Sequence, residues 1–480
     1  MQQPAQRSIK LGIQAFLNGD NQQAYEQFRQ AIELAPEHPD GWINMAILHR
    51  RAGQLGEAHA FINKAYELRP DSAAVLSNMG SVLGDMYRHD EALEFHKRAV
   101  TASPDNQGMG RNHLQALREA GQFEGFLAGC EAYLKRHPDD TSVRWFKAQA
   151  LFYLQRFPEA WRAIEERWQI ANIRGALPTD ISWWQGEPLD GRSILVVDEQ
   201  GFGDSILCSR YIPLLAEQGA NVTLLCRPAL HDLFKDLPAN IVGELAENQP
   251  FECAAIIHRF FKSSPDDVGG DPTVSQSFDY ATAMMSLPGW FKANLTEAPP
   301  ASPPVHKDEL LPPSLQKPLD EAGEALKVGI VWAGNPEFKR NAQRSAPLSH
   351  FADLATVPGV QLFSLQKGPA EAGLESLDDP GAVTPLGLHL GNFTQTAAVI
   401  EQLDLIIMTD TSVAHLAGAL NKPVWNLLDT CPYWIYGLTG EATGWYPSMR
   451  LFRQTQPGDW APVFASVKSA LTALAEEKSG

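Results

Sequence analysis

An α-solenoid followed by an α/β region of two Rossmann-like lobes is the architecture the sequence predicts, and three observations lead to it. Pro36, Pro70, Pro104 and Pro138 stand 34 residues apart, which is a helical-repeat period. After Ala171 the texture changes to short apolar runs alternating with amphipathic segments, the pattern of a sheet covered by helices. Seven prolines crowded between positions 299 and 318 then split that region in two.

The repeat shows in more than its prolines. The same step links Gly12, Ala46, Gly80 and Ala148, then Ala24, Ala58, Ala92 and Ala160, then Ala31, Ala65 and Ala99. Small residues at these places let the two helices of a hairpin approach closely, and the proline following the second helix starts the turn to the next unit. These columns resemble the tetratricopeptide repeat from about Ala5 to Gln169, with residues 1–170 expected to form the solenoid. In the fourth unit Leu114, Phe126 and Tyr133 fill the small-residue columns, and in the fifth Arg167 and Asn172 replace the last Ala and Pro. Those two units are expected to be degenerate or capping ones, since an end repeat must cover the exposed stack.

In the second region, 194–197 reads as a buried strand, 200–204 as a glycine-rich turn, 205–218 as a helix and 222–226 as the next strand. A second series has strands at 327–332, 360–365, 405–408 and 424–428 and a closing helix at 461–476. Prolines cannot continue either element, so 299–325 is expected to be a stiff connector between lobes at 171–298 and 326–480.

The 480 residues include 57 acidic and 39 basic ones, a formal charge of −18. Such a balance disfavours a nonspecific hold on nucleic acid or anionic membrane. The five cysteines are scattered without a C-x-x-C pair, so neither a disulfide framework nor a structural zinc site is expected. With no run of about 20 apolar residues and no signal-peptide core near the N-terminus, a cytoplasmic location is expected. Oligomerisation is left open.

Gly201 and Gly203, in Gln200-Gly-Phe-Gly-Asp204, follow a strand and open a helix, where open α/β sheets bind ligands. Ile206 occupies the third small position of the dinucleotide fingerprint, which turns the reading away from NAD. Asp204 in the first helical turn suits either a proton-accepting carboxylate at a cleft or a plain helix cap. Thr409-Asp410-Thr411-Ser412 ends a strand and leads into a helix, an arrangement that gathers N–H groups and hydroxyls for a phosphate. His415, one turn on, either donates to that phosphate or packs beneath the sheet. Lys339, Arg340 and Arg344 follow one strand and Lys367 another. Of these, Arg344 and Lys367 are the better candidates for an anion, and Lys339 and Arg340 suit a solvated charge run. Trp425, Tyr433, Trp434, Tyr436, Trp445 and Tyr446 suit either a sugar or base platform or core. No P-loop, H-E-x-x-H, G-x-S-x-G or Asp-x-Asp motif occurs, so no metal and no cofactor is expected.

Five segments, 199–204, 328–335, 364–368, 410–418 and 445–453, together resemble the heptosyltransferase-like GT-B glycosyltransferases, particularly bacterial ones preceded by tetratricopeptide repeats. The resemblance implies an inverting, metal-independent glycosyltransferase using a nucleotide sugar, with Asp204 as general base. It assigns Gly201, Gly203, Asn335, Arg344, Gln366, Lys367, Asp410, Thr411, Ser412 and His415 to the donor and its phosphates. The tryptophan that follows the family's phosphate-binding lysine is missing after Arg344. A protein acceptor, flagellin among the possibilities, is expected on the concave face of the solenoid, and 248–277 is expected to be an acceptor-side insertion. Two alternatives are an inactive repeat scaffold and a lipopolysaccharide heptosyltransferase.

Overall fold

The computed structural model describes the chain except residues 1, 168–176, 179, 244–256, 258–276, 297, 300–309, 339 and 480. The expected insertion at 248–277 falls almost wholly outside the described residues. So do Lys339, Asn172, Cys253 and the middle of the connector. The described residues form two compact units, Met1–Ala150 and Leu151–Gly480.

The first unit is helical. Its helices are α1 (Gln2–Leu17), α2 (Asn21–Leu34), α3 (Pro39–Arg51), α4 (Leu55–Leu68), α5 (Ala73–Asp85), α6 (His89–Ala102), α7 (Gln107–Glu119), α8 (Phe123–Arg136) and most of α9 (Thr141–Tyr153). Each repeat proline ends a helix by constraining its predecessor. Ala35, Arg69, Ser103 and His137 have φ of −147°, −146°, −144° and −131°, away from the helical basin that a following proline disfavours.

Glycines in the repeats are close-approach sites. A Cβ on Gly12 would stand 2.5 Å from the Phe28 ring, and one on Gly80 would stand 2.8 Å from His96. The fourth hairpin inverts this arrangement. Leu114 packs where a Cβ on Gly129 would be 2.7 Å away, and Tyr133 sits 2.6 Å from a Cβ on Gly110. Of the large residues that break the columns, Leu114 and Tyr133 are therefore matched by glycines on the facing helix, and the hairpin keeps its packing there.

The second unit begins at Leu151, before the change of texture in the sequence. It holds α10 (Phe157–Ile164), β1 (Ser182–Trp183), β2 (Ser193–Val197), α11 (Phe202–Cys208), α12 (Ile212–Glu217), β3 (Asn221–Leu225), α13 (His231–Phe234), β4 (Asn240–Val242), β5 (Tyr280–Ala283) and α14 (Leu287–Trp290). There follow α15 (Pro313–Glu321), β6 (Leu326–Val331), α16 (Asn341–Arg344), α17 (Leu348–Ala352), β7 (Val360–Ser364), β8 (Val383–Pro385), α18 (Phe393–Gln402), β9 (Leu405–Thr409), α19 (Ser412–Ala419), β10 (Val424–Leu428), β11 (Met449–Arg453) and α20 (Ala461–Ser479). The helix expected over 205–218 is broken, because Pro213 cannot donate back into the preceding turn and restarts the chain as α12.

Two parallel sheets result, ordered β1-β5-β2-β3-β4 and β11-β10-β9-β6-β7-β8. Their central strands are buried on both faces, as a helix-covered parallel sheet requires. Strand order reverses between β2 and β5 in the first sheet and between β6 and β9 in the second. Open parallel sheets present their ligand crevice at the carboxyl ends of such strands. The loops leaving β2, β6 and β9 carry Asp204, Arg344 and Asp410.

Candidate functional site

Beyond β2 the chain buries two carboxylates in succession, and each meets an arginine. Asp198 accepts from Arg227 Nε at 2.7 Å, and Glu199 accepts from Arg167 Nε at 2.9 Å and Nη2 at 2.6 Å. Glu199 also takes the N–H of Met285, just past β5, at 3.1 Å. These ties hold the turn that follows. Its positive φ, 61°, belongs to Gln200, whereas Gly201 has φ −81°. The two glycines were expected to supply the turn and instead supply room.

Gly203 is where the two sheets' helices meet, for a Cβ there would stand 2.7 Å from His415 Cδ2 and 3.4 Å from Ser412 Cα. Asp204 acts as the cap, accepting the Gly201 N–H on Oδ2 at 3.0 Å. It also faces the seam, since Oδ1 accepts the Tyr433 hydroxyl at 2.7 Å. The carboxylate is thus both a helix cap and a contact across the seam. Desolvation holds its carboxyl above the ordinary aspartate range, against the Tyr433 and Gly201 hydrogen bonds.

Across the seam, Thr411 is the N-cap residue of α19 with φ −143°, yet no side chain caps this helix. The Thr411 hydroxyl is buried and makes no hydrogen bond among the described residues. The Ala414 N–H turns back to the Thr411 carbonyl at 3.0 Å, and the Ser412 and Val413 N–H groups, which take no bond among the described residues, are left for a ligand or solvent. Asp410, half-buried beside them, takes the Tyr436 hydroxyl at 3.4 Å, and burial pushes its carboxyl up to about 6 despite the neighbouring Arg344.

His415 is buried and its pKa is pushed down to about 3 by desolvation, with Arg210 and Arg344 adding to the effect, so the ring is neutral. Its Nδ1 lies 3.1 Å from the Tyr446 hydroxyl, and the Arg210 guanidinium lies 4.9 Å over the Tyr446 ring. The other ring nitrogen of His415, Nε2, lies on the seam side. A Cβ on Gly203 would lie 3.3 Å from that Nε2.

Arg344 has no carboxylate at ion-pair distance among the described residues. Its guanidinium lies 4.4 Å over the Phe338 ring and contacts Asn341 Oδ1 at 3.5 Å. Gly334 leaves the space, since a Cβ there would strike the guanidinium. Arg340, read as part of a solvated run, is instead committed, donating to Asp429 Oδ2 at 2.8 Å and to the Cys431 carbonyl at 2.7 Å.

Three expected donor contacts are placed otherwise. Gln366 is buried with its amide wholly engaged, accepting from the N–H of Trp332 and Ala333 and donating to the carbonyls of Ala333 and Lys367. It fastens the β6 loop and has no polar atom left for a ligand. Asn335 is exposed and accepts the Glu337 N–H at 3.0 Å within its own turn. Lys367 is exposed and donates to the Leu390 carbonyl, and no contact among the described residues brings it to Asp204, Asp410 or His415.

What sequence reasoning missed is the hydroxyl role of tyrosines read only as rings. Tyr433, Tyr436 and Tyr446 place their hydroxyls on Asp204, Asp410 and His415. Only their clustering in the sequence hinted at this. Among the described residues, no group of three or more His, Cys, Asp or Glu could hold a metal ion, and no helix is long and apolar enough to cross a membrane.

Comparison with known proteins bears on both units. The tetratricopeptide repeat family matches residues 15–79. Protein FlbA of Caulobacter vibrioides is 25% identical over 484 residues, spanning 96% of this chain and 77% of its own length. The protein O-mannosyl-transferase TMTC1 of Mus musculus is 30% identical over 177 residues, 34% of this chain and 18% of TMTC1. Among solved structures, pilF of Pseudomonas aeruginosa matches 35% of this chain and 76% of its own at 21% identity, with a TM-score of 0.33. The thermophilic repeat protein TTC0263 of Thermus thermophilus matches 34% of this chain and 90% of its own at 17% identity, with a TM-score of 0.30. The N-terminal helices are tetratricopeptide repeats, and a region of two helix-flanked parallel sheets follows them.

Proposed function

We propose that the second unit is a GT-B-type inverting glycosyltransferase that moves a sugar from a nucleotide-sugar donor to a hydroxyl of a protein acceptor held by the repeats, flagellin being one candidate acceptor. The observation that carries the reading is Arg344, a cation with no carboxylate partner among the described residues, beside an α19 N-terminus without a side-chain cap and across the seam from Asp204. In a protein of charge −18, an uncompensated cation beside free N–H donors is suited to an anion.

In this mechanism the acceptor oxygen attacks the anomeric carbon while Asp204 takes its proton. The bond from that carbon to the phosphate oxygen breaks, and the nucleoside diphosphate leaves with the electron pair. Arg344, the α19 N–H groups and His415 stabilise the charge that develops on it. The raised carboxyl of Asp204 suits a base, because a carboxylate whose conjugate acid is weaker takes a proton more readily. Similarity to FlbA along nearly the whole chain, and the transferase name of the mouse relative over a third of it, are compatible with glycosylation.

Thermal-shift screening against UDP-, GDP-, ADP- and CMP-linked sugars tests the reading, since a ligand that binds only the folded state raises Tm. One family of donors should raise Tm in the wild type and fail to do so in Arg344→Ala. No shift with any of them leaves the chain a repeat scaffold. Turnover of ADP-heptose onto a lipid acceptor makes it a lipopolysaccharide heptosyltransferase.

A further inference from the structure

We propose that Tyr433 is a positioning residue of the transfer site, whose hydroxyl orients the Asp204 carboxylate across the seam and keeps it in the proton-accepting form. The inference rests on the transferase reading above. Two donors from different lobes fix the plane of that carboxylate, Tyr433 on Oδ1 at 2.7 Å and the Gly201 N–H on Oδ2 at 3.0 Å. Each carboxylate oxygen carries a second acceptor site, so an incoming hydroxyl still finds one.

The loop is built to hold this one hydroxyl in place. Before Tyr433, the Cys431 carbonyl accepts from Arg340 at 2.7 Å and the Pro432 carbonyl accepts from Tyr153 at 3.0 Å. After it, Trp434 is buried among Phe152, Trp161 and Trp445, with ring centroids 4.6, 5.2 and 5.2 Å away. A tyrosine fixed on both sides loses little freedom when it bonds, so its contact with Asp204 is preorganised.

The surroundings explain why the base needs such a partner. Facing Asp204 are Asp198 and Arg227 from the ends of β2 and β3, Cys208 from α11, Asp410 from the end of β9, and Tyr446 and His415. Arg227 pairs with Asp198 and its charge also favours the ionised Asp204, and His415 is neutral. Burial and two neighbouring carboxylates thus favour protonation of Asp204, and a protonated carboxyl accepts nothing. The Tyr433 O–H first, then the Gly201 N–H and the charge of Arg227, work against that.

The test is Tyr433→Phe, which removes one oxygen, made in the full chain. In the pH profile of kcat/KM for donor turnover, the acid limb should move up by about one pH unit. Activity below the limb should then fall about tenfold and recover at high pH. A uniform loss at every pH would overturn the proposal, because packing damage carries no pH signature. A second arm needs no substrate. Infrared difference spectra of protein carrying carboxyl-labelled aspartate, wild type against Asp204→Asn, give the pH at which the protonated Asp204 carbonyl band appears. Tyr433→Phe should raise that pH by the same amount, and an unmoved band refutes the role. If no donor turns over at all, the transferase reading falls, and the infrared titration still decides whether Tyr433 sets the state of Asp204.

Discussion

Gly203 of α11 and His415 of α19 meet so closely that a Cβ on the glycine would stand 2.7 Å from the imidazole Cδ2. Gly203 is absent from the positive-φ residues, so the requirement is for space alone. Gly203→Ala should push the two helices apart, cost about 1–3 kcal/mol of stability and loosen the seam that carries Asp204. Urea unfolding and donor turnover measure the two effects, and an alanine variant as stable and active as the wild type would show that the contact is incidental.

Arg340 and Arg344 are four positions apart and should respond differently to removal. Arg340 neutralises the buried Asp429, so Arg340→Ala should destabilise the fold by about 3 kcal/mol by stranding that carboxylate. Arg344 has no such partner among the described residues. Arg344→Ala should leave Tm nearly unchanged and weaken nucleoside diphosphate binding at least tenfold, about 1.4 kcal/mol. Calorimetric titration with Tm measured in parallel separates the two, and loss of Tm in the Arg344 variant would make that arginine structural.

Asp410 titrates at about 6 in the fold, against an ordinary 3.8. Between those values the native state holds a proton that the unfolded chain has released, so stability falls as pH rises through this window. With its partial exposure allowed for, the cost at neutral pH is about 2 kcal/mol. Asp410→Asn should be more stable than wild type at pH 7 by about that amount and no more stable near pH 4. Chemical denaturation at the two pH values checks it, and equal differences at both would contradict the assignment.

His96 lies buried against Gly80 with its ring Nδ1 unpartnered, and burial pushes its pKa down to about 4. The unfolded chain takes up this proton near 6.5 and the native one only near 4. The unfolded state therefore binds more protons in between, and the repeats lose up to about 3 kcal/mol as pH falls from 6.5 towards 4. Hydrogen exchange over 73–119 should quicken over that range in the wild type and less so in His96→Gln. Identical pH dependence in both proteins would acquit this ring.

Much of the fold was legible because it is local. The prolines that end α2, α4, α6 and α8 act on their immediate neighbours, and β10 runs over Val424–Leu428 as its apolar run indicates. β5 was not legible. A four-residue strand, it enters the first sheet between β1 and β2, and that pairing leaves no periodic trace in so short a run. At the site, Asp204, Asp410, Arg344 and His415 stood out by their place after strands. Tyr433 did not, because its partner is 229 positions away. Gln366, assigned to the donor only by resemblance, could not be placed from its neighbours, since the folded β6 loop engages both ends of its amide.

Asp204→Asn offers the most direct test, measured for both binding and turnover of the donor identified by thermal shift. The account predicts that this variant binds the nucleotide sugar as the wild type does but transfers its sugar at least a hundredfold more slowly, in line with loss of a general base. Transfer at the wild-type rate with Asp204 replaced would contradict it, and the seam between Gly203 and His415 would then be a packing contact with no chemistry of its own.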